Sequence, residues 1–195
     1  AENFQIARIK KSIFEQSYIG MIYTDRSAKT DSIYQDQNLF GIDFDYSTAS
    51  FLGDKNFQFQ TFFVGHNSNN TLNETFSDLS SRGVRISYPN DLWDAHASYR
   101  ELGDSFSPVV GFIPRNGFKR FQPTIKYKPR PESLKLVRQL EFGAELEYMT
   151  NNAGNLIKQE MKFHLLKIKF ENGDEASAGA KMLKEYLDED FEIVE

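Results

Sequence analysis

Residues 137–170 read VRQLEFGAELEYMTNNAGNLIKQEMKFHLLKIKF, and their first half decides the fold. Leu140, Phe142, Ala144, Leu146 and Tyr148 alternate with Glu141, Gly143, Glu145 and Glu147. Successive side chains of a strand point to opposite faces, so a period of two predicts a strand with one apolar face and one charged face. Asn151-Asn152-Ala153-Gly154-Asn155 follows, and Asn and Gly tolerate the positive φ that a tight turn needs. The return runs from Leu156 through Met161, Phe163 and Leu165, then shifts phase at Leu166 to Ile168 and Phe170, which predicts a β-bulge. Residues 136 to 171 are therefore expected to form one long hairpin. Asn172-Gly173 then predicts a further hairpin through a two-residue type I′ turn.

The same alternation extends outward. Phe40, Ile42, Phe44 and Tyr46 share a face against Gly41, Asp43 and Asp45; Phe57, Phe59 and Phe63 lie opposite Gln58, Gln60 and Phe62. Val84, Ile86 and Tyr88 alternate with Arg85 and Ser87, and Trp93, Ala95, Ala97 and Tyr99 with Asp94, His96, Ser98 and Arg100. Ordinary strands run to about 5–6 residues. A tilted strand crossing a bilayer needs about 9–11, and Val137 to Tyr148 and Leu156 to Phe170 suit that longer class. Asn67 to Ser81 and Lys128-Pro129-Arg130-Pro131 read as loops rather than domain linkers, because the strand pattern resumes on either side. Ala176 to Leu187 fits a helix by the spacing of Ala180, Leu183 and Leu187, and a strand by the Asn-Gly turn before it. Residues 1–195 thus form a single all-β domain: an antiparallel meander of long strands making a β-barrel, an incomplete sector of one, or a fragment of a larger barrel.

Composition agrees. Among 195 residues there are 18 Phe, 9 Tyr and 1 Trp, side chains that favour a pleated surface. The net charge of −5 argues against a nucleic-acid partner. The absence of Cys removes thiolate metal ligands and thiol catalysis. No stretch approaches the roughly 18 apolar residues of a membrane helix. The mean hydropathy of −0.55 remains compatible with barrel strands, whose apolar residues alternate with polar ones. The first residues, Ala1-Glu2-Asn3-Phe4, show no signal pattern, so the chain reads as mature, cytosolic or excised.

Several segments resemble a known family. Asn3 to Ile9, Ser17 to Arg26, the block Gly103-Asp104-Ser105-Phe106-Ser107-Pro108-Val109-Val110-Gly111-Phe112-Ile113-Pro114-Arg115, and Tyr186 to Ile193 are similar to uncharacterised outer-membrane proteins common in Bacteroidetes. Those proteins join an N-terminal module resembling family 9 carbohydrate-binding domains to a C-terminal β-barrel of unknown function. The resemblance implies a portion of that barrel in the bacterial outer membrane, with lipid as a partner and carbohydrate as a further one. The sugar-binding-like module is absent from this sequence. The ending Ile193-Val194-Glu195 lacks the terminal aromatic of a complete barrel, which implies further strands beyond it.

The expected wet face carries Asp43, Asp45, Arg85, Asp94, His96, Arg100, Glu141, Glu145 and Glu147, with acidic neighbours around Ser98. Asp43 with Asp45, or Glu145 with Glu147, could serve as glycosidase carboxylates, since i and i+2 on a strand stand about 6.5–7 Å apart. A hydrated wall explains them better, so no catalytic residue is assigned. His66, His96 and His164 lack ligand spacing and read as solvated or lumen-facing, with no metal and no cofactor expected. Asp188-Glu189-Asp190 reads as a solvated acidic turn, and Asn69-Asn70-Thr71 and Asn73-Glu74-Thr75 as polar loop. In the family-like block, Gly103, Asp104, Phe106, Pro108, Gly111 and Arg115 are expected to shape a long connection that Asp104 and Arg115 hold by hydrogen bonds. Trp93, Tyr99, Tyr127 and Tyr148 suit interfacial girdles or packing. A passive membrane scaffold or passage is the function expected; a soluble β-sandwich or lipocalin-like binding domain and a glycoside-processing enzyme are the alternatives.

Overall fold

The computed structural model describes residues 2–30, 33–68 and 73–186. Asn69-Asn70-Thr71, Asp188-Glu189-Asp190 and most of the block from Tyr186 lie outside them. Ten strands follow one another: β1 (Glu2–Ile13), β2 (Ser17–Thr30), β3 (Ile33–Phe51), β4 (Lys55–Ser68), β5 (Ser80–Pro89), β6 (Trp93–Leu102), β7 (Phe118–Tyr127), β8 (Val137–Asn151), β9 (Leu156–Phe170) and β10 (Glu175–Glu185). They form one antiparallel sheet in sequence order. Each strand pairs with its chain neighbours, and among the described residues β1 does not pair with β10, so the sheet is an open sector.

The predicted hairpin is present, turning over residues 152–155 between β8 and β9. The phase shift is a real bulge. Ala178 pairs with Leu166 and Gly179 with His164, so Leu165 is skipped, and the β8 ladder loses register at the same level. The ambiguous segment is a strand: β10 extends through Glu185 and lies along β9. The turn before it differs from the expected type. Phe170 N–H donates to the Asp174 carbonyl (2.9 Å), leaving three residues in the loop, with Gly173 at φ 95°. That is a three-residue hairpin with Gly in the left-handed position rather than a type I′ turn. Asn151 to Asn155 closes in the same way through Asn151 N–H and the Asn155 carbonyl (2.8 Å), with Gly154 at φ 94°.

Register sorts the side chains of β2 to β9 into two faces. Partners across an antiparallel ladder share a face. Met21 pairs with Ile42 and Ile42 with Phe63. Further along, Ile86 pairs with Ala97, Ala97 with Pro123, Ile125 with Ala144, and Ala144 with Phe163. This apolar face is open: Ile19, Met21, Ile42, Ile86 and Ile125 are each 43–49% exposed. The chain presents 13386 Å² of surface, against about 9,500 Å² for a folded monomer of its 22.5 kDa mass. The buried cluster is small and lies on the other face at one end, where Leu39, Leu102, Phe106, Val109, Phe118 and Ile157 meet.

Candidate functional site: the polar face and its loop-covered end

The second face carries the charge. Asp43 receives Arg8 Nη2 at 2.9 Å, and Asp45 receives Gln60 Nε2 at 2.6 Å and the Ser47 hydroxyl at 2.9 Å. Asp94 pairs with Lys128 (3.1 Å) and Lys126 lies between Glu141 (3.5 Å) and Glu145 (3.6 Å). Glu145 also meets His164 Nε2 at 2.9 Å, and Glu147 meets Lys158 at 2.8 Å. Glu160, which directly faces Glu147 across the ladder, is ringed by Lys158 (3.3 Å), Lys162 (2.7 Å) and Lys181 (3.2 Å). Alternation brings all of these to one side because each occupies the strand phase opposite to the apolar residues. A cavity of about 460 Å³ lies over Asp94, His96, Lys126, Glu145 and Glu160, and a second of about 440 Å³ over Asp43, Asp45, Gln60, Arg85 and Arg100.

Asp43, Asp45, Arg85, Asp94, His96, Arg100, Glu145 and Glu147 line these cavities, and Glu141 joins through Lys126. One expectation needs correction. His66 is not solvated but 7% exposed, its Nδ1 3.2 Å from the Leu79 carbonyl and its ring 5.6 Å from Phe106, because loops fold over it. Ser98 faces Arg85 across the ladder and borders the same cavity as Asp94, Glu145 and Glu147, so charges of both signs surround it. Among the described residues no three His, Cys, Asp or Glu side chains converge as a metal site would need. A glycosidase acid needs a carboxyl kept neutral by apolar surroundings. Asp43, Glu145 and Glu147 sit beside Arg8, Lys126 and Lys158 instead.

The family-like block is the loop from Gly103 to Gly117, and it folds back over one end of this face. Phe106 and Val109 are 6% and 4% exposed, packed with Leu102 and Phe118 at the strand ends. Pro108 stands beside Gly111, which adopts φ 141°. Asp104 lies against Gly117, where any Cβ would strike its carboxylate. Arg115 lines an apolar cavity with Phe106 and Phe112. The role of Gly103 was only half visible in sequence: its N–H donates to the Ser80 carbonyl (2.9 Å), and a Cβ there would collide with the backbone of Asp78. Two loops cross at that point, a constraint local patterning cannot reveal.

The apolar face has order of its own. Trp93, Tyr127 and Phe142 are successive ladder partners, and so are Tyr99, Phe121 and Tyr148. On each of β6, β7 and β8 the two aromatic rows are six residues apart, with Ala95, Ala97, Pro123, Ile125, Ala144 and Leu146 between them. Arg82, Glu101 and Lys119 form the next row outward on the same face, Arg82 and Glu101 being paired at 2.7 Å.

No family model matches this chain, and no curated protein or solved structure is significantly similar to it.

Proposed function

We propose that the chain is a portion of a bacterial outer-membrane β-barrel, a passive scaffold or passage whose apolar face meets lipid and whose charged face lines a wet interior. One observation carries the reading: an exposed aliphatic band bounded by two aromatic rows, with ionic residues beyond one of them. From Trp93 to Glu101 the band spans about 26 Å along the strand, or about 20 Å in height at a tilt of about 40°, of the order of a barrel's about 25 Å apolar belt. Water gives no reason for such rows, whereas Trp and Tyr gather at membrane interfaces. The resemblance of the segments around Ser17 and Gly103 to Bacteroidetes outer-membrane proteins points the same way. The polar cavities suit hydrophilic solutes, with carbohydrate the class that the same resemblance suggests.

The test uses the absence of native Cys. Single cysteines at positions 97 and 98 are placed in the chain, which is then reconstituted in lipid vesicles. A bilayer-soluble thiol reagent is expected to label position 97 and a water-soluble one position 98. Equal labelling of both positions by either reagent overturns the reading.

A further inference from the structure

The charged wall changes character at its loop-covered end. Arg100 and Arg120 face each other directly across the β6–β7 ladder, an arrangement of like charges that costs stability unless something offsets it. Arg120 reaches Glu147 only at 3.8 Å, and Glu147 is already engaged by Lys158 at 2.8 Å. Arg100 lies over the ring of Phe62, 5.8 Å from its centre, and is in no ion pair among those formed by the described residues. Both arginines border two cavities at once: the polar one of about 440 Å³, and one of about 430 Å³ whose other walls include Phe106, Phe112, Ile113, Phe118 and Met149. That second volume falls within the about 300–1,000 Å³ of small-molecule sites. Phe112, 88% exposed, projects from the covering loop.

Two facing guanidinium groups whose ion-paired carboxylate is the distant, already engaged Glu147, set against a mostly apolar hollow that Arg115 also borders, select for a molecule with an anionic head and an apolar body. We propose that this end of the polar face binds a medium-chain carboxylate, its head between Arg100 and Arg120 and its chain beneath the Gly103–Gly117 loop. Guanidinium donors form a fork that matches a planar carboxylate. A saccharide would leave the Phe and Met walls without a partner, and a small inorganic anion would leave the hollow unfilled. The site lies on the face opposite to the apolar band, and its test takes the chain in a bilayer and so rests on the membrane reading.

The probes are octanoate, octan-1-ol and acetate, added to the ¹⁵N-labelled chain in neutral-lipid nanodiscs, with the arginine Nε–Hε signals followed by NMR. Octanoate is expected to shift the Arg100 and Arg120 signals saturably and to leave that of Arg130, which is paired with Asp91 at the far end, unmoved. Octan-1-ol and acetate are each expected to bind at least tenfold more weakly. R100Q is expected to weaken octanoate at least tenfold, and R130Q, the folding control, to leave its affinity unchanged. Several results each overturn the proposal: equal binding of octan-1-ol, which means an apolar groove only; equal binding of acetate, which means an adventitious ion only; or undiminished binding in folded R100Q.

Discussion

Ala97→Arg against Ser98→Glu separates the two faces at one level of one strand. Ala97 pairs with Ile86 and Pro123 on the apolar face, four residues from Trp93 and four from Glu101. It therefore stands about 13 Å along the strand from either margin of the band, at its middle. An Arg on the lipid face of a barrel costs about 2–4 kcal/mol at midplane and about 0–1 near an interface. The equilibrium constant for assembly should thus fall by about 30- to 700-fold, since each 1.4 kcal/mol is about tenfold. Ala95→Arg, two residues nearer the margin, should cost visibly less. A face exposed to water would tolerate either change within about 0.5 kcal/mol. Ser98 looks to the polar face, where Arg85 is its ladder partner, so a Glu there gains a cross-strand ion pair and should be neutral or mildly stabilising. Urea titration of vesicle-inserted protein, read by heat-modifiable migration, measures all three. Equal losses for A97R and S98E, or no loss for A97R, would refute the assignment of faces; a loss for A97R that persists undiminished at A95R and without lipid would indicate a packed soluble core.

Two other outcomes test the fold itself. Deleting Leu165 should be tolerated within about 1–2 kcal/mol in the same titration, because it removes the bulge residue and leaves Phe163, Leu166, Ile168 and Phe170 in unbroken alternation; deleting Glu145 instead should prevent folding, since it turns one side of β8 over. Gly103→Ala should destabilise by about 1–3 kcal/mol through overpacking against the Asp78 backbone, and limited proteolysis should then cut first between Gly103 and Gly117; wild-type protease resistance in G103A would remove the crossing from the account.

Strand identity was legible because alternation is a local property that each ladder then confirms. Leu140 to Tyr148 carried its face assignment in its own period, and even the bulge at Leu165 announced itself as two adjacent Leu residues at a change of phase. Where the sequence left the outcome open or misled, a distant partner decided it. Ala180 and Leu183 have helical spacing, yet β9 offers a continuous ladder, and pairing overrides so weak a preference. His66 occupies the wet phase of β4, but Leu79 and Phe106 come from loops 13 and 40 residues away to cover it. Around Ser98 the acidic neighbour Asp94 is near in sequence, while Arg85, near only across the ladder, was not legible.

The apolar residues that break the polar face are not scattered along it. Leu39, Val64, Leu102 and Phe118 all lie at the end where β3 begins and β4 and β6 finish, and Ile22, Val64, Ile113 and Met149 complete the cluster that receives Phe106 and Val109. At the opposite end the same face presents Asp45, Gln58, Asp94, Lys126 and Glu141. Wetness therefore grades along the strands, and the Gly103–Gly117 loop covers the dry end alone. The edge strands extend the gradient. Phe4 and Ile6 share the polar face with Thr24 and Arg26 at that same end, and Leu183 faces Glu160 there. Strand β10 keeps Ala176, Ala178, Ala180 and Met182 in line with the apolar-face side chains of β9, whereas β1 divides its apolar residues, Ile9 pairing with Met21 on one face and Ile6 with Thr24 on the other. Unpaired edges cannot stand in hydrocarbon, where each unsatisfied backbone group costs several kcal/mol, so the membrane reading requires both to be paired. Pairing at β10 continues an ordered wall; pairing at β1 brings Phe4 and Ile6 to the polar face at its dry end, beside Thr24, which is already buried there.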